Sequence, residues 1–342
     1  MASITYKATE VVSTENMDEE TWLKYRKNGI GGSDLAAIMG VSPFATARDL
    51  YYDKCGIEPM LDEESNWVAK KVGHLLEDLV AEIFAKKTGF KVWSVKTIFS
   101  HPDHPFMQAN VDFFYEDNNG KVGGLECKTT NYMAKSKWDG DTVPLNYELQ
   151  CRHYMAIMDI DEWWIACMYG NNENDFIMRK INRDEDYEDV IIQEESTFWN
   201  DFVLAKQEPA YTENGDLILA SIKKHYGNAN SSEPRVTLHK DYAKKIERIL
   251  ELKERQKFHD KESRLIKREI TSLYAPIADE LGTSTLGDCI APTGIYAIDY
   301  KATQRIGINK DELNKLKINH KDIYDEYVTV TESRTFNVKK EG

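Results

Sequence analysis

Residues 108–130 have the sequence QANVDFFYEDNNGKVGGLECKTT, and this stretch decides the fold. Two runs rich in β-branched and aromatic residues flank the polar segment EDNNGK, and we predict that they belong to strands over 106–116 and 121–129. Gly120 can adopt the positive φ that a tight hairpin turn requires. The pattern therefore predicts two antiparallel strands joined by a short turn.

The predicted hairpin carries charged side chains in otherwise apolar strands. Asp112 interrupts NVDFFY, and Glu126 and Lys128 lie two residues apart, so they share one face of their strand. A three-residue loop would place Asp112 opposite Glu126, whereas a two-residue loop would place it opposite Cys127 on the wrong face. We expect the three-residue loop.

Two carboxylates and a lysine on adjacent strands suit metal-assisted hydrolysis of a phosphodiester. Carboxylate oxygens hold a hard divalent cation, and an ammonium group orients or helps to activate the attacking water. The Glu-x-Lys triplet alone is weak, because Glu251 and Lys253 form it too, in a predicted helix where residues two apart do not share a face. Only the copy at Glu126 lies in a predicted strand with a second acid across a hairpin.

Upstream, residues 29–40 have the sequence GIGGSDLAAIMG, with glycines preceding Ser33. Ser33 is a favourable N-cap residue, so a short helix is predicted to begin there. Unpaired amides at such a helix start could cradle an anion, and a simple tight turn is the alternative.

Further helices are predicted over 19–27, 64–88 and 145–158, with strands over 90–99 and 162–169. Glu77 lies at the edge of the apolar stripe of the long helix. Its carboxylate either reaches solvent beside that stripe or serves a buried site.

Four segments together resemble the PD-(D/E)XK nucleases of the YqaJ type, which are phage recombination exonucleases similar to lambda exonuclease. The segments are YRKNGIGGSDLAAIMGVSPF, GHLLEDLVAEIF, QANVDFFYEDNNGKVGGLECKTT and YELQCRHYMAI, in one order over roughly residues 20–170. The resemblance implies an α/β fold in which helices flank a mixed central sheet.

The resemblance also implies residue roles, position by position. Asp112, Glu126 and the main-chain carbonyl of Cys127 would be metal ligands. Lys128 would be the catalytic lysine, with Glu77 and Gln150 completing the catalytic set. The region before the first core helix contacts the DNA 5′ end in this family, which would assign Arg26, Ser33 and Asn110 to binding of the 5′ phosphate.

The implied activity is that of a Mg²⁺-dependent exonuclease, with Mn²⁺ as a substitute, that degrades one strand from double-stranded DNA ends in the 5′-to-3′ direction. Similar enzymes form rings around DNA. The resemblance therefore implies a homo-oligomer, with a trimeric ring as one form, and a single-strand annealing protein as partner. Two rival hypotheses are a structure- or sequence-selective endonuclease of the same fold and a non-catalytic DNA-end binding scaffold.

Composition restricts the class of protein. Hydrophobic residues make up 41% of the 342 residues and charged residues 30%, which is typical of a globular chain. The net charge is 44 − 58 = −14, so binding to DNA requires basic residues to gather locally, as in 24–27, 128–137 and 240–268.

The distribution of cysteines and apolar residues predicts a location. Five cysteines stand far apart, which argues against a disulfide framework, and no zinc-ligand spacing occurs. Neither an export signal nor a membrane span is recognisable, so we expect the protein in the cytoplasm, that of a bacterial host if it derives from a phage.

The predicted organisation has three parts. A nuclease domain over 1–205 is followed by a helical arm over 206–285 and a small α+β segment over 286–342. Within 236–281, two apolar stripes surround the polar stretch 251–264, which favours a helical hairpin over one uniform coiled coil.

Overall fold

The computed structural model describes residues 7–61, 67–227, 242–281, 286–291, 294–299 and 308–328. Contacts divide the chain into two compact units, Met1–Gly227 and Asn228–Gly342. The first unit contains all the predicted site residues.

The first unit has the following elements in chain order. They are β1 (Thr9–Ser13), α1 (Glu19–Lys27), β2 (Ile30–Gly31), α2 (Gly32–Ile38), α3 (Ala47–Cys55), α4 (Trp67–Thr88), β3 (Lys91–Trp93), β4 (Thr97–Ser100), β5 (Met107–Ala109), β6 (Phe113–Glu116), β7 (Val122–Thr129), a 3₁₀ helix (Tyr132–Trp138), α5 (Leu145–Met158), β8 (Glu162–Met168), β9 (Phe176–Asn182), α6 (Glu185–Thr197), a π-helix (Phe198–Leu204) and α7 (Gly215–Tyr226).

The strands form two mixed sheets, which confirms the predicted α/β class. The larger sheet has the order β3-β6-β7-β8-β9, and the smaller has the order β1-β4-β5-β2. Only the pairs β7–β8 and β2–β5 are parallel among these strands. The smaller sheet was not expected from the sequence.

Two predicted strands are wrong in one respect, because each is broken in the middle. The strand expected over 90–99 is β3 and β4, and the strand expected over 106–116 is β5 and β6. In both cases the two halves belong to different sheets. Asp112 therefore lies between sheets, just before β6, rather than inside a strand.

The hairpin between β6 and β7 has the register expected for a three-residue loop. Phe113 pairs with Leu125 and Glu116 with Val122, so the next position places Asp112 opposite Glu126. Gly120 has a φ of 82°, in the left-handed region that glycine adopts without steric cost.

The larger sheet is covered on both faces. Leu125 and Cys127 of β7 pack in the apolar cluster that contains Val80 and Phe84 of α4. The other face packs against α5 through a second cluster, in which Trp163 of β8 is fully buried. Glu126 and Lys128 project from β7 toward this second side.

The first unit continues beyond residue 205, because α7 is hydrogen-bonded to α3. Ser221 donates to Asp49 Oδ1 at 2.8 Å, and His225 Nε2 lies 2.9 Å from the same oxygen. The division into domains 1–205, 206–285 and 286–342 stays a prediction.

The second unit contains α8 (Tyr242–Leu281), β10 (Leu286–Ala291), β11 (Gly294–Asp299), α9 (Lys310–Asn319) and α10 (Lys321–Tyr327). The predicted helical hairpin is wrong, because α8 is one helix of 40 residues. Its polar middle consists largely of Glu, Lys, Arg and Gln, which favour helix and need no turn. β10 and β11 pair antiparallel. Residues 329–342 of the predicted α+β segment lie outside the described residues.

Within the described part of the chain, no helix combines the length and the apolar character that a membrane crossing requires.

Gly124 of β7 tests how closely the sheet packs. A Cβ at this position would lie 2.4 Å from ring atoms of Trp163, so Gly124→Ala should lower the free energy of unfolding by about 1–3 kcal/mol. Urea denaturation measures the change. The matched control is Gly215→Ala at the start of α7, where nothing lies within 4 Å of the added carbon; this variant should be neutral or slightly stabilised. Equal stability of both variants would contradict the expected contact.

Candidate active site

The centre of the candidate site is Glu126, whose side chain is 1% exposed. Its Oε1 accepts hydrogen bonds from Lys128 Nζ at 2.5 Å and from Gln150 Nε2 at 2.7 Å. Its Oε2 is also buried and has no hydrogen-bond partner among the residues that the structure describes. A buried carboxylate oxygen without a partner is unfavourable unless a cation or another donor satisfies it.

Asp112 reaches the same place from the other strand of the hairpin. Its Oδ2 accepts a hydrogen bond from the main-chain N–H of Cys127 at 3.0 Å. Because Asp112 lies at the crossing between the sheets, its carboxylate is fixed by the neighbouring strand rather than by its own. The structure thus brings the first two predicted metal ligands together, although their role remains a prediction.

The carboxylates of the cluster affect each other's protonation. Burial, with a further contribution from the charge of Asp112, raises the pKa of Glu126 to about 8, although Lys128 opposes the shift. Burial alone would lower the pKa of Lys128, but the charges of Glu126 and Asp112 outweigh it and raise that pKa. Lys128 is therefore an ammonium group, held in place by the carboxylate beside it.

Glu77 on α4 belongs to the same electrostatic cluster. Burial, followed by the charge of Asp112, raises the pKa of its carboxyl. His74, one turn earlier, places Nδ1 3.3 Å from Glu77 Oε1. The side chain of Glu77 is half-buried, so its role at the site stays a prediction.

Gln150 fixes Glu126 from α5. Besides its bond to Glu126, Gln150 Nε2 donates to the hydroxyl of Tyr154 at 3.1 Å. Tyr147, on the same helix, presents its ring 5.1 Å from Lys128 Nζ, within the range of a cation–π contact. One helix therefore orients both members of the Glu-x-Lys triplet.

The donor set fits a hard divalent cation. Two carboxylates converge, and the unpaired Glu126 Oε2 is the kind of oxygen that such an ion binds. The described residues contain no group of three or more His, Cys, Asp or Glu side chains placed to hold a metal. The predicted set requires only two, since its third ligand is the carbonyl of Cys127. Burial raises the pKa of the Cys127 thiol, so the thiol is uncharged.

Two of the three predicted phosphate-binding residues, Arg26 and Ser33, are in contact, in an arrangement that the sequence did not predict. Arg26 Nη2 donates to Ser33 Oγ at 3.0 Å and to Asp34 Oδ1 at 3.1 Å. The predicted N-cap at Ser33 is wrong: α2 begins at Gly32, after Gly31, because Asp34 accepts the Gly31 N–H at 2.9 Å. This amide of the expected cradle is therefore already bonded.

Close packing connects this region with the carboxylates. A Cβ on Gly32 would lie 2.7 Å from the Tyr154 ring and 2.9 Å from the Gln150 side chain. The start of α2 therefore packs on Gln150, which donates to Glu126, and on Tyr154, which accepts from Gln150. Asn110 is exposed at the crossing between β5 and β6, two residues before Asp112.

Sequence reasoning missed two charged residues of this region. Asp34 stands directly after Ser33 in the quoted motif, where its acidity could have indicated a partner for Arg26. Nothing in the sequence indicates that Lys54 is buried, because a lysine on a short helix is ordinarily exposed. The structure instead buries it, with its side chain 1% exposed and Nζ 2.8 Å from Asp34 Oδ2.

A buried hydrogen-bonded pair of titratable side chains was also missed. His153 Nδ1 lies 2.6 Å from Glu195 Oε1, and His153 Nε2 lies 2.9 Å from the carbonyl oxygen of Gln108. Both side chains are fully buried. These two contacts connect α5 with α6 and with β5.

Comparison with known proteins gives matches at three levels. A family model described as a YqaJ-like viral recombinase domain matches residues 21–161. The uncharacterized protein YqaJ of Bacillus subtilis (strain 168) is 30% identical over 341 residues, which cover 98% of this chain and 99% of that protein.

Solved structures are similar at lower identity. An alkaline exonuclease (LHK-Exo) from Laribacter hongkongensis is 19% identical, with a TM-score of 0.45, and the match covers 55% of this chain and 93% of that one. A phage related exonuclease from Haemophilus somnus 129PT is 14% identical, with a TM-score of 0.39, and the match covers 54% and 100% of the two chains.

The Asp34 cluster predicts a pH dependence of stability. Burial alone would raise the pKa of Asp34, but Lys54 and Arg26 outweigh it and lower that pKa below 3.8. The resulting stabilisation is present above the unfolded pKa and is lost as the pH falls through the folded pKa. The difference in free energy of unfolding between the protein and Asp34→Asn should therefore shrink from neutral pH toward about pH 3. Urea titrations measure it, and a constant difference would contradict the assignment.

Proposed function

Because this chain belongs to the YqaJ-like viral recombinase family, we propose that it is a Mg²⁺-dependent deoxyribonuclease that degrades one strand from double-stranded DNA ends. The proposed direction is 5′ to 3′, and the product is single-stranded DNA for phage-type recombination. One observation carries the proposal: Asp112, Glu126 and Lys128 converge, and Glu126 presents a buried oxygen without a partner among the described residues.

Asp112, Glu126 and the Cys127 carbonyl would hold Mg²⁺, or Mn²⁺ in its place, and the ion would withdraw charge from the scissile phosphate and favour ionisation of a water molecule. Lys128 carries a proton, and Glu126 holds its ammonium group in one position. From there it can donate a hydrogen bond to the phosphate or to the attacking water.

Gln150 and Glu77 complete the proposed catalytic set. Gln150 donates to Glu126 Oε1, so this oxygen is occupied and Oε2 is left for the cation. Glu77 adds a carboxylate on the α4 side, where it can accept a hydrogen bond from the attacking water. Hydrolysis leaves a 5′ phosphate on the next nucleotide, which we assign to Arg26, Ser33 and Asn110.

Charge constrains the way in which this protein meets its substrate. A chain with a net charge of −14 repels DNA at long range unless basic residues line the path of the duplex. We propose a homo-oligomer, in the form of a trimeric ring, whose channel carries those residues, and a single-strand annealing protein as partner. Light scattering tests the mass of the oligomer.

Closed and linear DNA distinguish the proposal from its rivals. An enzyme that starts from ends should leave a covalently closed circle intact in Mg²⁺ and digest the same DNA once it has been linearised. An endonuclease of the same fold would cut the circle. A DNA-end binding scaffold would bind linear DNA and leave both forms intact.

Replacement of Lys128 tests the chemical step. Lys128→Ala should retain DNA-end binding and lose turnover by about 10²-fold or more, because a group that stabilises developing charge is removed. The control is Lys180→Ala in β9. The ammonium group of Lys180 lies 2.8 Å from Glu162 and does not belong to the cluster around Glu126. Digestion of end-labelled duplex measures both variants. Ordinary turnover in Lys128→Ala would overturn its assignment.

Replacement of Arg26 tests recognition of the 5′ phosphate. A charge-assisted hydrogen bond contributes about 1.5–3 kcal/mol, so Arg26→Ala should remove most of any preference for phosphorylated over hydroxyl ends. Competition between the two kinds of labelled duplex measures that preference. An equal loss on both kinds of end would make Arg26 a general backbone contact.

A further inference from the structure

Three charged side chains meet behind the proposed 5′-phosphate site. Asp34 Oδ1 accepts from Arg26 Nη2 at 3.1 Å, while Asp34 Oδ2 lies 2.8 Å from Lys54 Nζ. Lys54 Nζ also donates to the main-chain oxygen of Arg26 at 2.9 Å. The lysine thus binds both the end of α1, which carries Arg26, and the carboxylate that orients the Arg26 side chain.

Only one of the two cations can reach a ligand. The side chain of Arg26 is 32% exposed, whereas that of Lys54 is 1% exposed. Ser33, whose hydroxyl oxygen accepts a hydrogen bond from the same Arg26 nitrogen as Asp34, is exposed as well. Lys54 is therefore too deeply buried to contact DNA, and any influence on DNA must pass through Asp34 and Arg26.

Burial of a lysine is costly, so its position requires a physical reason. Without Lys54, Arg26 and Asp34 would form a neutral pair, and a phosphate would compete with a carboxylate for the same guanidinium. With Lys54, the three side chains Arg26, Asp34 and Lys54 carry two positive charges and one negative charge, a sum of +1. Asp53 also lies 3.8 Å from Lys54, but it is 53% exposed, so solvent screens its charge. The charge of Asp34 is then offset from the inside, and the charge of Arg26 is available on the outside.

We propose that Lys54 is a positioning residue that keeps the Arg26 site positive by neutralising Asp34, and so gives the protein its preference for a 5′-phosphorylated DNA end. This inference rests on the proposed function in one respect, namely that a DNA 5′ end is the ligand. It does not require that the protein cleave DNA.

The charge of the cluster can be changed in steps. Lys54→Met gives Arg⁺ and Asp⁻ with a net charge of zero, whereas the double variant Asp34→Asn/Lys54→Met restores +1 with Arg26 alone. Affinity for fluorescent duplexes with a 5′ phosphate or a 5′ hydroxyl is measured by anisotropy at low salt, with Ca²⁺ in place of Mg²⁺. Lys54→Met should lower the phosphate-to-hydroxyl preference about tenfold, and the double variant should recover most of it.

A merely structural role would not give this pattern, because a general folding defect weakens binding to both ends alike. The matched control is Asp53→Asn, because Asp53 lies 3.8 Å from Lys54 but is 53% exposed. The Asp53→Asn variant should show the same phosphate-to-hydroxyl preference as the unmodified protein. Thermal unfolding of each variant confirms that it is folded.

Each result has a defined meaning. A folded Lys54→Met with undiminished preference would overturn the inference. If Lys54→Met fails to fold, the double variant decides, because it buries no unpaired charge. A phosphate-to-hydroxyl preference that the double variant retains supports the inference. A loss of this preference as complete as that of Arg26→Ala overturns it. Equal affinity of the unmodified protein for both ends would also overturn it, whereas preferential binding without cleavage in Mg²⁺ would overturn only the nuclease.

Discussion

A carboxylate that is removed from water must be compensated, and the architecture around the site follows from this requirement at Glu126. Its Oε1 is satisfied by Lys128 and Gln150, which come from its own strand and from α5. Its Oε2 has no such donor among the described residues, and Asp112 adds a second negative charge nearby. The protein alone therefore leaves this site short of positive charge, and a divalent cation would supply it.

The same principle operates at Asp34, with the opposite result. There the carboxylate meets Arg26 and the buried Lys54, so among these three side chains positive charge exceeds negative charge by one. The two clusters are held together by close packing, because Gly32 lets α2 approach Gln150 and Tyr154. The proposed metal site thus lies beside the proposed 5′-phosphate site, which is the placement that the proposed hydrolysis at a DNA 5′ end would require.

Much of this arrangement was predictable from local patterns. The hairpin register is the one expected for a three-residue loop, with Gly120 in the left-handed region, and the turn residues limited the choice to this register or that of a two-residue loop. The limits of α1 and α5 agreed with prediction for a similar reason, since capping residues and apolar spacing are local signals. The broken strands were not predictable, because a continuous apolar run does not reveal where the chain passes from one sheet to another.

The sequence by itself determined the α/β class, the hairpin, and the order of acid, acid and lysine along the chain, because these depend on side-chain period and turn chemistry. Only the tertiary structure decided that Asp112 lies between two sheets, that Glu77 on α4 interacts with its charge, and that Lys54 is buried against Asp34. The physical reason is that burial and charge pairing depend on residues distant in sequence. A lysine on an isolated helix carries no sign of the carboxylate that it will meet.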